Sequence, residues 1–188
     1  MKATALGSLA VAFVFIGTSA AYVRGADVRA TPAAASAPVR AQATISGEGI
    51  SGTLDAVEIT TGTAREVEIT LKVKGLKPGL HGVHLHAVGK CEPPFTSAGP
   101  HFNPAGHKHG MEAAEGPHAG DMPNLHVPAS GELVVEVANP MISLVKDQPN
   151  SVFDADGSAL VVHAGPDDYK TDPAGNAGDR IACGVIVE

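Results

Sequence analysis

The sequence predicts an all-β domain, an antiparallel sandwich or barrel carrying two long functional loops. Three observations predict it. Short stretches alternate apolar and polar residues at the strand period of two, without helical periodicity between them. The turns that separate them are rich in Gly and Pro, which number 22 and 14 in 188 residues. Two segments, 89–130 and 165–179, show no alternation and consist largely of Gly, Pro, His and polar residues. Loops of that length inside a compact domain are usually functional.

In chain order, Met1 and Lys2 precede an apolar stretch from Ala5 to Gly17 that ends in small residues, Thr18 to Ala21. A basic start, a short apolar run and small residues read as a signal peptide over 1–21, the alternative being an uncleaved membrane anchor. Residues 22–41 are rich in Ala and Pro and read as a flexible tether. The folded domain then occupies 42–188. Its clearest strand is Glu66 to Lys74, where Val67, Ile69, Leu71 and Val73 alternate with polar residues. Weaker strands are expected at Ala43–Ser46, Thr53–Thr60, Leu80–Val88, Glu132–Val137, Ala159–Ala164 and Ile181–Val187. Gly47-Glu-Gly49-Ile-Ser-Gly52 matches a dinucleotide-binding fingerprint letter by letter. Strand-like residues follow it, with no helix whose N-terminus would receive a pyrophosphate, so it reads as a hairpin turn.

A formal net charge of −7, with Lys and Arg nowhere clustered, argues against nucleic acid or an anionic membrane as partner. An anionic substrate would need a local positive focus. The only cysteines, Cys91 and Cys183, lie in the exported part. An even pair in an oxidising compartment reads as a disulfide, with free thiols or metal ligands as the alternative. Closing so long a loop constrains the unfolded chain by on the order of 4 kcal/mol.

Eight of the nine histidines lie between His81 and His126. In His84-Leu85-His86 the strand period puts both imidazoles on one face, and Val83 and Leu85 on the other. His101, His109, His118 and Asp121 follow on loop segments, and His163 ends a distant strand. Imidazoles suit copper, zinc and nickel, and three histidines with one carboxylate make a closed tetrahedral zinc site. A site of imidazole nitrogens alone suits Cu(II). Six histidines and one aspartate satisfy both sites only if one imidazole bridges them. A loosely chelating His-rich loop is the plain alternative, but it leaves the strand spacing of His84 and His86 unexplained.

Gly79-Leu-His-Gly-Val-His-Leu-His86, Ser97-Ala-Gly-Pro-His-Phe-Asn-Pro104, Lys108-His-Gly110, Leu160-Val-Val-His163 and Gly175-Asn-Ala-Gly-Asp-Arg-Ile-Ala-Cys-Gly184 resemble, in order, the signature blocks of the copper,zinc superoxide dismutase family. The resemblance runs from about residue 43 to 188 and implies an eight-stranded Greek-key barrel with one copper and one zinc per subunit. It implies copper on His84, His86, His101 and His163, and zinc on His101, His109, His118 and Asp121, with His101 as the bridge. Asp167 matches a carboxylate linking a copper-side to a zinc-side histidine, and Arg180 matches the arginine beside copper. Cys91 and Cys183 match the family disulfide. The implied activity is conversion of superoxide to oxygen and hydrogen peroxide, protecting the cell envelope, with His101 also passing protons.

The segments His163–Arg180 and His86–Cys91 are short, and Cys91-Glu-Pro resembles the exported bacterial branch, so dimer contacts do not carry over from animal enzymes. Lys170 is the nearest steering charge. His81, His107 and His126 match no ligand and read as hydrogen-bonded or exposed. An ordinary salt bridge, for instance to Asp179, is the alternative role for Arg180. A homodimer is compatible with the sequence, and membrane tethering with a retained signal segment. Two rival functions remain: a non-catalytic exported copper/zinc-binding protein, and a zinc hydrolase, against which stand the absence of HExxH and the closed ligand set.

Overall fold

The computed structural model describes residues 37–188, so the signal segment and most of the tether lie outside the described residues. β1 (Val39–Gly47), β2 (Ile50–Thr61), β3 (Ala64–Lys74), β4 (Gly79–His81), β5 (Val83–His86), β6 (Leu125–Val127), β7 (Glu132–Asn139), β8 (Ala159–His163) and β9 (Arg180–Val185) are joined without any α-helix among the described residues. They form a seven-stranded sheet in the order β5-β8-β9-β1-β2-β3-β7 and a two-stranded sheet of β4 and β6, all paired antiparallel. The all-β antiparallel fold is the one the sequence implies.

Strand periodicity builds the core. Val67, Ile69, Leu71 and Val73 of β3 are buried beside Leu54 and Ala56 of β2 and Ala43 and Ile45 of β1, while Glu66, Glu68, Lys72 and Lys74 point outward. Burying each large aliphatic side chain contributes roughly 1.5–3 kcal/mol relative to exposure. The Gly47–Gly52 fingerprint is the hairpin between β1 and β2, paired Gly47 to Ile50.

Three details differ from the sequence reading. The single strand expected at Leu80–Val88 breaks at Gly82: β4 pairs with β6 in the small sheet, and β5 with β8 in the large one. Leu125–Val127, only three residues long, is also a strand. That is too short for alternation to register. β1 starts at Val39, so the sheet takes in the last residues of the Ala/Pro-rich stretch.

One inward position of β2 carries a charge. Glu58 is buried and accepts hydrogen bonds from the Leu144 N–H (2.7 Å) and the Ser143 hydroxyl (3.0 Å), and it pairs with Arg65. It thereby pins the 140–151 loop to the sheet. Burial alone would raise its pKa, but the Leu144, Ser143 and Arg65 contacts together hold it below the ordinary value. A carboxyl depressed in the folded state adds stability above its unfolded pKa and loses it as the pH falls. Glu58→Gln is therefore expected to cost about 2 kcal/mol at neutral pH. Its deficit should shrink below about pH 4.3. Urea midpoints of parent and variant across that range check this, and a gap independent of pH would refute it.

Candidate metal centre

β5 and β8 are buried on both faces. Val83, Leu85, Leu160 and Val162 fill the core side, and the long 89–130 loop covers the other. This loop closes the free edge of β5: Leu85 N–H donates to Gly120 O (2.9 Å), and Phe102 N–H donates to Leu85 O (2.8 Å). A side chain at Gly120 would run into the Leu85 carbonyl, so only glycine lets the loop come this close. The same docking sets His101 opposite His86 and Asp121 opposite His84. His163 arrives at the end of β8, where the register with β9 shifts and Arg180 becomes its partner.

Four rings, His84, His86, His101 and His163, thus meet in a buried cluster, with the His84 and His101 centroids 4.0 Å apart and those of His84 and His163 4.9 Å apart. Each ring is anchored through one nitrogen. His84 Nε2 lies 2.9 Å from Asp167 Oδ2 and His101 Nδ1 2.8 Å from Asp121 Oδ1. His86 Nδ1 donates to Gly99 O (2.9 Å) and His163 Nδ1 to Gly178 O (3.2 Å). The other nitrogens, His84 Nδ1, His86 Nε2, His101 Nε2 and His163 Nε2, are buried without a protein partner. Unpaired buried polar atoms are costly and rare. Four of them aimed into one space, within 4.8 Å of one another, suit a cation that accepts imidazole lone pairs. A carbonyl can only accept, so His86 and His163 carry their protons on Nδ1 and leave Nε2 free to ligate.

A second group shares His101. The Nδ1 atoms of His101, His109 and His118 lie 2.8, 3.1 and 3.5 Å from Asp121 Oδ1. Asp121 Oδ2 is occupied by the N–H groups of Gly110 and His118, both at 3.0 Å. Three imidazole nitrogens around one carboxylate oxygen are a donor set fitting zinc. Asp167 joins the groups, its Oδ1 on His109 Nε2 (3.0 Å) and its Oδ2 on His84 Nε2. Gly175, at φ 62°, lies against this link, and a side chain there would strike both Asp167 and His109.

Electrostatics divide the groups. Burial pushes His84 down to about 4, His86 to about 2 and His163 to about 3, with the Arg180 charge also lowering His86 and His163. These three rings are neutral at physiological pH, their lone pairs available. At His109 burial is outweighed by Asp121 and Asp167, which raise it to about 9. Asp121 and Asp167 are held far below the usual carboxylate range because hydrogen bonds from the histidines overcome burial.

Arg180 donates to Phe95 O and Gly99 O, both at 2.8 Å, and not to Asp179. Cys91 and Cys183 form a disulfide, with Cα atoms 5.6 Å apart, tying the segment that presents those carbonyls to β9. His81 spends its nitrogens on His163 O and Lys77 O, and His107 donates to Pro117 O. His126 is exposed on β6, and none of these three enters a ligand cluster. Lys170 is paired with Glu112 at 2.8 Å on the surface.

The family model for copper/zinc superoxide dismutase (SODC) matches residues 50–186. The chain belongs to this family. It is 52% identical over 145 residues to "Superoxide dismutase [Cu-Zn] 2" of Aquifex aeolicus, covering 76% of this chain and 82% of that one. It is 45% identical over 124 residues to the "Superoxide dismutase [Cu-Zn]" of Caulobacter vibrioides, covering 64% and 71%. Among solved structures, a SOD-like protein from Bacillus subtilis superposes with a TM-score of 0.71 at 36% identity, covering 78% of this chain and 97% of that one. Like its family, the protein is a superoxide dismutase using one copper and one zinc, and superoxide is its substrate.

Several residues that hold this superoxide dismutase site together were not visible in the sequence. Asn124 grips the Asp167 peptide from both sides, Nδ2 donating to its carbonyl (2.9 Å) and Oδ1 accepting from its N–H (2.8 Å). The Tyr169 hydroxyl accepts from Asn124 N–H (2.7 Å). The anchors of His86, His163 and Arg180 are backbone carbonyls, which leave no signature in residue type.

Proposed function

We propose that this superoxide dismutase is exported to the periplasm or cell envelope, with residues 1–21 as signal peptide, the Ala/Pro-rich stretch as tether as far as the start of β1 at Val39, and the rest as the catalytic domain. His84, His86, His101 and His163 are assigned to copper, and His101, His109, His118 and Asp121 to zinc. The observation that carries this assignment is the set of four unpartnered nitrogens on rings whose opposite nitrogens are all anchored. The disulfide supports an oxidising compartment.

Bound copper supplies the one-electron couple that turns two superoxide anions and two protons into oxygen and hydrogen peroxide, a couple zinc lacks. Arg180 contributes a permanent positive charge for docking a small anion, held in place by two carbonyls. His101 Nε2 is the atom suited to hold a proton and pass it to the product, because its ring stays fixed through Nδ1. Asp167, on Nε2 of both rings, favours the tautomers of His84 and His109 whose Nδ1 lone pairs would face the metals. A homodimer, and membrane tethering by a retained signal segment, are compatible with this reading.

Metal analysis with a superoxide assay on the purified protein tests it. We expect copper and zinc in equal amounts and an activity that varies little with salt, because Lys170 is offset by Glu112. Zinc binding without redox-active copper would sink the enzyme assignment, and a rate falling steeply with salt would contradict the electrostatic part.

A further inference from the structure

The 165–179 loop brings a second carboxylate to the zinc-side histidines, beyond Asp167. Asp172 Oδ1 accepts the His109 main-chain N–H at 2.9 Å, and the same oxygen lies 3.9 Å from His118 Nε2. His118 is buried, while the Asp172 side chain is half-exposed. In the ligand assignment above, all three zinc-side rings offer Nδ1 to the metal, and each needs a partner for its other nitrogen. His101 turns Nε2 toward the copper group, and His109 gives Nε2 to Asp167. The remaining nitrogen is His118 Nε2. Asp172 is the carboxylate facing it.

We infer that Asp172 is a positioning residue for zinc: it fixes the His109 backbone by accepting its N–H and sets a negative charge 3.9 Å from the Nε2 edge of His118, an ion-pair distance longer than a hydrogen bond, so that both rings present Nδ1 together. A ligating histidine whose other N–H meets a carboxylate is held in one tautomer and orientation and is a more basic donor. Asp172 thereby makes the 165–179 loop a strap over the 89–130 loop. Tyr169 strengthens the strap through its hydroxyl on Asn124 and its carbonyl, which accepts from Glu112 N–H at 3.2 Å. Lys170 adds its pair with Glu112. Loss of the Asp172 carboxylate would remove the negative charge facing His118 Nε2 and leave the His109 N–H without its acceptor.

This inference rests on the zinc assignment to His109 and His118, and the experiment separates the two. Full-length parent, Asp172→Asn and Asp172→Ala proteins are loaded with copper and zinc, and zinc affinity is measured by chelator competition. Removing an outer carboxylate of this kind typically weakens metal binding about 10- to 100-fold. We expect that loss in Asp172→Ala and a smaller loss in Asp172→Asn, which keeps an acceptor oxygen and gives up only the charge. The second readout is the His118 Nε2–H proton resonance of ¹⁵N-histidine-labelled, zinc-loaded protein. It should exchange slowly in the parent and in Asp172→Asn and be lost to fast exchange in Asp172→Ala. A purely structural role for the loop would not move that signal selectively. Should Asp172→Ala not fold, the weakened zinc affinity of Asp172→Asn decides the matter. Zinc affinities within twofold of the parent in every folded variant, or an unchanged His118 resonance in Asp172→Ala, would overturn the role of Asp172. A parent protein that takes up copper but no zinc would overturn the zinc assignment itself.

Discussion

His101→Ala is expected to reduce superoxide dismutation about a thousandfold and to decouple the two metals. His101 is the one residue common to both four-membered ligand clusters, with Nδ1 turned to Asp121 and Nε2 to the free nitrogens of the copper side. Alanine removes one donor from each group and the atom suited to pass a proton. It also deprives the Asp121 carboxylate of its shortest histidine contact, at 2.8 Å. The measurement is activity per bound copper, together with the spectrum of protein carrying cobalt in place of zinc. In the parent the copper signal should be altered by the neighbouring cobalt, and in the variant it should be that of an isolated copper. A variant keeping more than a tenth of parental activity, or a persistent coupled spectrum, would show that another group bridges.

Arg180→Ala is expected to slow the reaction about 10- to 100-fold while copper and zinc contents stay at the parental level. The protein carries a formal charge of −7, so a superoxide anion approaching it meets net repulsion unless a local cation intervenes. Arg180 stands across from His163 in the β8–β9 pairing, and its charge reaches His86 and His163, lowering the pKa of both. Carbonyl acceptors hold the guanidinium in place without neutralising it. Arg180→Lys keeps a charge but cannot span two carbonyls with a planar fork, and should fall between parent and alanine. Steady-state assays over a range of ionic strength, with metal contents measured alongside, check this. Equal rates in all three proteins would remove Arg180 from the mechanism.

Much of the centre was legible because it depends on strand geometry. The period of two in His84-Leu85-His86 already placed both rings away from Val83 and Leu85, and the structure keeps them there. That these rings are nevertheless wholly buried was not legible, because the cover comes from a loop whose path depends on backbone contacts at Leu85, Phe102 and Gly120. The break between β4 and β5 escaped for a related reason. His81 and Val83 both fit an uninterrupted alternation, and only pairing with different partners divides them. Which histidines share which metal also exceeds what spacing can give. It took the family signature to propose His101 as common to both, and the side-by-side geometry to give each nitrogen a place. Asn124 and Asp172 act across gaps of 43 and 63 residues in sequence, each on a main-chain group, and neither contact is written in local pattern.

The proposed ligands come from two sources of very different rigidity. His84 and His86 sit on β5 and His163 ends β8, so three of the copper-side nitrogens belong to a hydrogen-bonded ladder whose register is set by the core. The proposed zinc-side ligands belong to irregular chain that is held by two bridges to β5 and by cross-links between loops. For anyone redesigning this scaffold, the centre is therefore divisible. The sheet is a fixed three-point socket, and the loops could be shortened or grafted to tune it as long as they keep His101 and the Gly99 carbonyl that anchors His86 and Arg180.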